Sequence, residues 1–291
     1  MTIQEANRYI TNRLTTIYDQ AEASNISDWV IENLAGVKRT DRIISKNQSL
    51  NLKQAEQLEL YITRLLTHEP VQYVLNEAWF CGLKFYVDKN VLIPRPETEE
   101  LVEWIISGCK FPIDKLFILD IGTGSGCIPI ALKRRLGKAT VWSCDISTGA
   151  LQVAKRNALT LGVDVNFTEL DFLNKEQWDK LPAVDIVVSN PPYIPETDRK
   201  EMRLNVLNYE PGEALFVPDN DVLVFYKAIA DFGKKHLNRN GVIYAEINES
   251  LGEATASMFQ LSGYNVEIKK DMQGKDRMIK AFVNQAGYIQ S

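Results

Sequence analysis

Histidine and cysteine are both scarce in this chain of 291 residues. The two histidines are His68 and His236, and the four cysteines, none of which forms a Cys-x-x-Cys pair, are Cys81, Cys109, Cys127 and Cys144. A structural zinc site needs four clustered thiolate or imidazole ligands, so we expect no metal site. Scattered thiols without a disulfide framework are typical of a reducing compartment.

The chain also lacks an excess of positive charge and any long apolar run. It carries 33 basic and 38 acidic residues, a formal net charge of -5. Because neutralised phosphates supply much of the affinity for nucleic acid, this balance argues against a nucleic-acid substrate. No stretch approaches the roughly 20 apolar residues that span a bilayer, and residues 1–7 lack the pattern of a signal peptide. These absences predict a soluble, cytoplasmic protein without a membrane partner.

The first third of the chain is predicted to be helical. Apolar residues recur at helical spacing from residue 3 to about residue 66, and no strand pattern interrupts them. Ser27 and Asn51 are placed as N-caps, and Gly36 is placed as a C-terminal stop. We therefore expect a small helical bundle over residues 1–70.

A short β-hairpin over residues 71–90 is predicted to link this bundle to a second domain. Asn76 and Gly82 are its turn candidates. Three segments rich in β-branched and aromatic side chains suit strands, namely residues 71–75, 78–80 and 84–87.

Residues 91–291 are predicted to form an α/β domain. After a proline-rich segment, Glu97 opens a helix, and apolar strands then alternate with helices to the end of the chain. The seven predicted strands are residues 116–119, 139–144, 163–167, 183–189, 242–247, 265–268 and 277–283. This alternation predicts a Rossmann-like, mostly parallel sheet with helices on both faces.

A glycine-rich segment, residues 120–126, follows the first predicted strand of this domain. Its alternating glycines exceed what a tight turn needs, and they let the backbone approach a ligand closely. The third glycine comes one position too early for the dinucleotide fingerprint. Asp120 would repel a phosphate but suits a cation, and S-adenosylmethionine is a cation without phosphate. We therefore predict that the segment binds this cofactor.

Two further acidic positions suit the rest of a nucleoside. Asp145 ends the second predicted strand, where a carboxylate can accept hydrogen bonds from both ribose hydroxyls. The alternative for Asp145 is a helix N-cap, for which Ser147 competes. Asp171 can meet the adenine amino group while Phe172 packs on the base, although Phe172 also suits the core.

The acceptor is predicted to bind the loop Asn190-Pro191-Pro192-Tyr193, which directly follows a buried strand. The lone pair of an amide or exocyclic amine nitrogen is delocalised, so the nitrogen is a poor nucleophile. The side-chain oxygen of Asn190 and the backbone carbonyl of Pro191 can accept its two N–H groups and orient the lone pair. The prolines fix φ, and Tyr193 offers a flat face to a planar group. The alternative is a rigid turn without a ligand.

These motifs resemble those of the release-factor glutamine methyltransferases. The resemblance rests on residues 92–99, 120–126, 145–147 and 190–194 and extends over nearly the whole chain. The Asn-Pro-Pro-Tyr loop alone is shared with methyltransferases that act on adenine or guanine amino groups. The segment Pro94-Arg95-Pro96, joined to an N-terminal helical bundle, is more specific to the release-factor enzymes.

The resemblance implies a class I methyltransferase fold with a seven-stranded sheet. It implies that S-adenosylmethionine is the cofactor, S-adenosylhomocysteine the product, and peptide chain release factors the partners. The methyl group would go to the glutamine of their Gly-Gly-Gln loop, and the helical bundle would help to dock them. Asn190 to Tyr193 would surround the glutamine. The residues that the resemblance places around the cofactor are Gly122, Thr123, Gly124, Ser125, Gly126, Asp145, Phe172 and Asn190.

Several alternatives stay open at this point. A nucleic-acid amino methyltransferase would need a basic surface and a base-recognition domain, and a non-catalytic module that binds translation factors would not need both loops. Arg95 and Glu97 either line a cleft between the domains or pair with each other. Glu246 either faces the binding edge of the sheet or is a buried, paired carboxylate.

Overall fold

The computed structural model describes residues 1–283, and they form two compact units. One unit comprises residues 1–77 with residues 203–209, and the other comprises residues 78–202 with the chain from residue 210 onward. The helices are α1 (Ile3–Leu14), α2 (Gln20–Ala35), α3 (Arg42–Ser45), α4 (Leu52–Leu65), α5 (Val71–Leu75), α6 (Pro96–Gly108), α7 (Cys127–Arg135), α8 (Thr148–Leu161), α9 (Leu204–Tyr209), α10 (Val224–His236) and α11 (Gly252–Leu261).

The strands alternate with these helices in the second unit. In chain order they are β1 (Ala78–Phe80), β2 (Leu83–Phe85), β3 (Phe117–Ile121), β4 (Thr140–Asp145), β5 (Asn166–Glu169), β6 (Val184–Ser189), β7 (Ile194–Pro195), β8 (Phe216–Val217), β9 (Leu237–Glu246), β10 (Asn265–Lys270) and β11 (Asp276–Phe282).

The helical unit is built around the apolar faces of α1, α2, α4 and α5. Asn51 caps α4 and forms a capping box with Gln54, and Gly36 ends α2 with φ of 67°, so both predicted helix ends are confirmed. The predicted N-cap at Ser27 is wrong, because Asp19 caps α2 instead. Ser27 is buried in the middle of that helix, where its hydroxyl donates to the Asn7 carbonyl at 3.0 Å.

Residues 71–75 form helix α5, so the strand predicted there is wrong. The N–H groups of Tyr73 and Val74 both donate to the carbonyl of Pro70, which starts a helical turn. Its buried side chains join the core of the helical unit, and this packing outweighs their β propensity. Asn76 ends the helix with φ of 53°, as its tolerance of positive φ allows.

The rest of the predicted hairpin is confirmed. Strands β1 and β2 pair antiparallel, and the two residues between them, Cys81 and Gly82, both have positive φ. Two successive positive φ values are the geometry that a two-residue hairpin loop requires. The hairpin packs its buried phenylalanines, Phe80 and Phe85, into the core of the second unit.

A seven-stranded sheet forms the centre of the second unit, as predicted. The strand order is β10-β11-β9-β6-β3-β4-β5, and the pairs among β9, β6, β3, β4 and β5 are parallel. Strand β11 pairs antiparallel with both β9 and β10. An apolar core covers each face of the sheet. The strand order reverses between β3 and β6, and the carboxyl ends of strands at such a switch point form the ligand crevice of this fold.

Candidate functional site

The glycine-rich loop runs from the end of β3 to the start of α7. Gly122, Gly124 and Gly126 all have positive φ, between 52° and 79°. A Cβ on Gly122 or Gly124 would meet no atom within 4 Å, so the loop leaves open space beside both residues. A Cβ on Gly126 would lie 3.1 Å from the Cβ of Ala154 in α8. The first two glycines therefore leave room for a ligand, and the third allows close helix packing.

Three buried oxygen atoms in and beside this loop have no hydrogen-bond partner in the described structure. They are Asp120 Oδ1, Thr123 Oγ1 and Ser125 Oγ. The other carboxylate oxygen of Asp120 accepts from the Ser143 hydroxyl at 2.6 Å. Burial raises the pKa of Asp120 to about 7, although this hydrogen bond opposes the shift. A buried polar atom without a partner costs free energy, so the loop suits a polar, cationic ligand such as S-adenosylmethionine.

Asp145 lies at the end of β4, beside the glycine-rich loop. Its carboxylate accepts from the backbone N–H groups of Gly124 and Ser147, both at 2.9 Å. Burial raises the pKa of Asp145, and these two hydrogen bonds oppose the shift. The N-cap of α8 is Ser147, whose hydroxyl accepts from Ala150 N, so the alternative role as a cap is excluded for Asp145. The contact with the ribose hydroxyls stays a prediction.

Asp171 and Phe172 follow β5 and have different surroundings. Asp171 accepts from the backbone N–H of Leu173 at 3.0 Å. Phe172 is buried, and its ring centroid lies 5.5 Å from that of Trp178 and 5.4 Å from that of Phe232. The ring is therefore part of the core, which was the alternative for this residue. The predicted contacts of both residues with adenine stay predictions.

The Asn190-to-Tyr193 loop follows β6, which pairs with β3. The register sets Ser189 opposite Ile121, so Asn190 and Gly122 follow neighbouring strands at the same edge of the sheet. The side-chain amide of Asn190 donates to the Thr98 hydroxyl at 3.1 Å. Pro191 is buried, whereas Pro192 and Tyr193 are partly exposed.

A buried carboxylate, Glu246 at the end of β9, is hydrogen-bonded to this loop through Tyr193. It is 1% exposed and accepts from the Thr98 hydroxyl at 2.6 Å and from the Tyr193 hydroxyl at 3.1 Å. Burial raises the pKa of Glu246, and the bonds from Thr98 and Tyr193 oppose the shift. Glu246 is therefore a buried, paired carboxylate, and it also lies at the carboxyl edge of the sheet. That this edge binds the ligands stays a prediction.

Thr98 is the residue of this cluster that sequence reasoning missed. It is 2% exposed in the first turn of α6. It belongs to the proline-rich segment, in which roles were predicted only for the charged residues Arg95 and Glu97. Arg95 does not pair with Glu97. Its guanidinium lies 2.6 Å from Glu210, whose side chain is 1% exposed and also accepts from the backbone N–H of Ile93. A buried carboxylate needs such partners, and Glu210 is more deeply buried than Glu97.

Two family models match different parts of the chain. A family model described as the PrmC N-terminal domain matches residues 5–75, and one described as the methyltransferase small domain matches residues 110–208. The release factor glutamine methyltransferase of Flavobacterium psychrophilum is 43% identical over 283 residues, which cover 96% of this chain and 99% of that protein. The enzyme of the same name from Bacteroides thetaiotaomicron is 42% identical over 274 residues, or 94% and 97% of the two chains. This chain belongs to the release factor glutamine methyltransferase family.

A solved structure of this family is also similar. The protein-(glutamine-N5) methyltransferase (release factor-specific) from Alicyclobacillus acidocaldarius is 23% identical, with a TM-score of 0.43. The match covers 69% of this chain and 99% of that one. Membership of the family rests on the sequence relatives and not on this likeness.

Membership confirms the predicted family and makes the chain a methyltransferase of the S-adenosylmethionine-dependent kind. Within residues 1–283, no helix is long and apolar enough to cross a membrane. The same residues include no cluster of three or more His, Cys, Asp or Glu side chains that could hold a metal ion.

Proposed function

We propose that this chain transfers a methyl group from S-adenosylmethionine to the side-chain amide nitrogen of a glutamine in peptide chain release factors. The acceptor would be the glutamine of the Gly-Gly-Gln loop. The observation that carries this proposal is the Asn190 side chain, whose amide nitrogen is held by Thr98 at the same sheet edge as the glycine-rich loop. Its amide oxygen is left to accept from a substrate N–H.

Orientation of the acceptor nitrogen is the main contribution expected from the Asn190-to-Tyr193 loop. Asn190 Oδ1 and the Pro191 carbonyl accept the two N–H groups of the glutamine amide, which aims the lone pair at the transferred methyl group. These hydrogen bonds strengthen as positive charge develops on the nitrogen. Alignment of this kind can supply roughly 7–11 kcal/mol at best. The nitrogen attacks first and loses its proton afterwards, so no general base is required before transfer.

The cofactor would lie along the carboxyl ends of β3, β4 and β6. When bound, S-adenosylmethionine supplies a methyl group made electrophilic by its sulfonium, and S-adenosylhomocysteine is the product. Asp145 would accept from the ribose hydroxyls, and Asp171 and Phe172 would contact the adenine. The residues proposed around the rest of the cofactor are Gly122, Thr123, Gly124, Ser125, Gly126 and Asn190.

The two parts of the chain are proposed to have different roles. The helical bundle of residues 1–70 would help to dock the release factor. Residues 71–90 would link it to the methyltransferase domain, residues 91–291, which would bind the cofactor and carry out the transfer. Tyr193 would present the flat part of its ring to the planar glutamine amide, because its hydroxyl is already engaged by Glu246.

Methyl transfer to a purified release factor tests this proposal. The chain is incubated with isotopically labelled S-adenosylmethionine and either release factor, a release factor with its Gly-Gly-Gln glutamine changed to glutamate, or nucleic acid. We expect label only in the unmodified release factor, and mass spectrometry should place one added methyl on that glutamine. Label in nucleic acid alone would refute the proposal in favour of an amino methyltransferase. Cofactor binding without transfer to any acceptor would favour a non-catalytic binding module. Asn190→Ala should abolish the transfer.

A further inference from the structure

A chain of hydrogen bonds joins the acceptor loop to the buried carboxylate of Glu246. The Asn190 amide nitrogen donates to the Thr98 hydroxyl oxygen at 3.1 Å, and the Thr98 hydroxyl donates to Glu246 Oε2 at 2.6 Å. Thr98 and Glu246 are 2% and 1% exposed. Water therefore has little access to the groups that set the position of the Asn190 side chain.

The chemistry of Glu246 fixes the direction of these hydrogen bonds. Its Oε1 accepts from the Tyr193 hydroxyl and its Oε2 accepts from the Thr98 hydroxyl, so the single hydroxyl proton of Thr98 points to Glu246. The lone pairs of the Thr98 oxygen then remain to accept, and only the nitrogen end of the Asn190 amide can donate to them. An amide turned by 180° would set its oxygen against the Thr98 oxygen without a proton between them. The buried carboxylate thus selects the orientation in which Asn190 Oδ1 faces away from Thr98.

Glu246 is itself held in place by neighbouring elements. The Tyr193 hydroxyl donates to its Oε1 at 3.1 Å, and the Tyr226 hydroxyl in α10 donates to its backbone carbonyl at 2.9 Å. The charge of Arg277 in β11 favours the ionised form of Glu246, whereas the charge of Glu97 in α6 opposes it. Both ends of the Asn190-to-Tyr193 loop are thereby tied to one carboxylate, Asn190 through Thr98 and Tyr193 directly.

We propose that Thr98 and Glu246 are positioning residues that keep the Asn190 amide oxygen turned toward the acceptor glutamine. Neither residue needs to touch the substrate or the cofactor, because both act through Asn190. This inference rests on the proposed function for its activity readout. The orientation of Asn190 itself can be measured without any acceptor.

The decisive comparison is between Thr98→Val, which removes the hydroxyl at nearly constant volume, and Thr98→Ser, which keeps it. A misplaced reacting group can cost up to about 100-fold in rate, so we expect kcat for release-factor methylation to fall roughly 10- to 100-fold in Thr98→Val. Thr98→Ser should keep most of the wild-type kcat, and the Kd for S-adenosylmethionine should be unchanged in both variants. Thr255→Val is the matched control. Thr255 is fully buried in α11, and its hydroxyl has no hydrogen-bond partner in the described structure, so its loss should leave kcat unchanged.

A second variant and a spectroscopic measurement separate positioning from loss of structure. In Glu246→Gln, the new amide can donate to the Thr98 oxygen and free its proton to point at Asn190. That variant should lose kcat like Thr98→Val while it still binds S-adenosylmethionine. In ¹⁵N NMR of the cofactor-bound protein, one side-chain N–H of Asn190 should be protected from exchange in wild type and Thr98→Ser, and unprotected in Thr98→Val.

Each failure has a distinct meaning. A wild-type chain that methylates no release factor would refute the proposed function, and the NMR comparison would still test the orientation of Asn190. A folded, cofactor-binding Thr98→Val that keeps at least half of the wild-type kcat would overturn the positioning role. Failure of Thr98→Ser to restore activity would also overturn it, because the hydroxyl would then not be the group that matters.

Discussion

Replacing Asp120 by asparagine should stabilise the ligand-free protein above neutral pH and weaken its binding of a cationic cofactor. Asp120 is fully buried at the end of β3, and burial raises its pKa from 3.8 to about 7. Asparagine keeps an oxygen that can accept from Ser143. Its amide nitrogen can take the place of Oδ1, the carboxylate oxygen that does not accept from Ser143.

The direction of the pH dependence follows from proton binding in the two states. Between pH 3.8 and about 7 the folded protein holds the Asp120 proton and the unfolded chain does not. The free energy of unfolding of the wild type therefore falls as pH rises through this window. Asp120→Asn does not lose this stability, because asparagine does not titrate. At 1.36 kcal/mol for each tenfold change in ionisation, the full loss is roughly 4 kcal/mol above pH 7 and roughly 1–2 kcal/mol at about pH 5. The advantage of the variant should therefore grow by roughly 2–3 kcal/mol between about pH 5 and pH 8.

Urea unfolding of both proteins at these two pH values measures the difference directly. Asp164→Asn is the control, because Asp164 is exposed in the loop between α8 and β5 and its substitution should have the same small effect at both pH values. The Kd for S-adenosylmethionine, measured by calorimetry at about pH 8, should rise in Asp120→Asn because the carboxylate that attracts the cation is gone. An Asp120→Asn variant whose stability relative to wild type is independent of pH would refute the reasoning.

Three other substitutions probe the surroundings of the site through urea unfolding. Gly126→Ala puts a Cβ on a residue with φ of 79° and 3.1 Å from the Cβ of Ala154. It should lower the free energy of unfolding by about 1–3 kcal/mol. Unchanged stability would contradict the packing role of this glycine. Arg95→Met leaves the buried Glu210 carboxylate without its guanidinium, and about 3 kcal/mol is expected, the low end for a buried pair, because Arg95 is 32% exposed. Phe172→Ala should cost about 3–5 kcal/mol as a core truncation. A large loss of cofactor affinity with little loss of stability would instead favour stacking on adenine.

The sheet could be predicted from the sequence because its signals are local. Strands β3 and β6 lie in the middle of a sheet that is covered on both faces, so almost every residue in them is buried. Burial of this kind produces the short, continuous apolar runs from which both strands were predicted. Asn51 and Gly36 were placed correctly for a related reason, since a cap depends mainly on the residue itself and its immediate neighbours.

The failed predictions are those in which distant packing decides the local conformation. Residues 71–75 have the composition of a strand, yet their burial in the helical unit makes them a helix. Serine is a favoured N-cap residue, yet Ser27 lies inside α2. There its hydroxyl donates to the Asn7 carbonyl and accepts from the Asn7 side-chain amide. Propensity is a weak preference, and tertiary contacts override it at both positions.

The same limit applies to the candidate site. The glycine-rich loop and Asp145 could be proposed as site residues from the sequence, because their residue types and their positions directly after strands are typical of this kind of site. The partners of Asn190 do not, since Thr98 lies 92 residues away from Asn190 and 148 residues away from Glu246. Likewise, Arg95 pairs with Glu210, which is 115 residues away in sequence, and not with the nearby Glu97. No spacing rule connects such residues before the sheet has formed.

The Thr98–Glu246 pair also explains why an asparagine suits position 190 better than the aspartate that simple acceptor chemistry would allow. An aspartate could accept from a substrate N–H, but it could not donate to the Thr98 oxygen, whose own proton is committed to Glu246. Its negative charge would also lie two hydrogen bonds from a second, buried carboxylate, which is unfavourable in a poorly solvated site. Under the proposed function, position 190 requires a donor toward the Thr98 oxygen and an acceptor toward the substrate amide. A side-chain amide provides both, and the buried carboxylate determines which end is which.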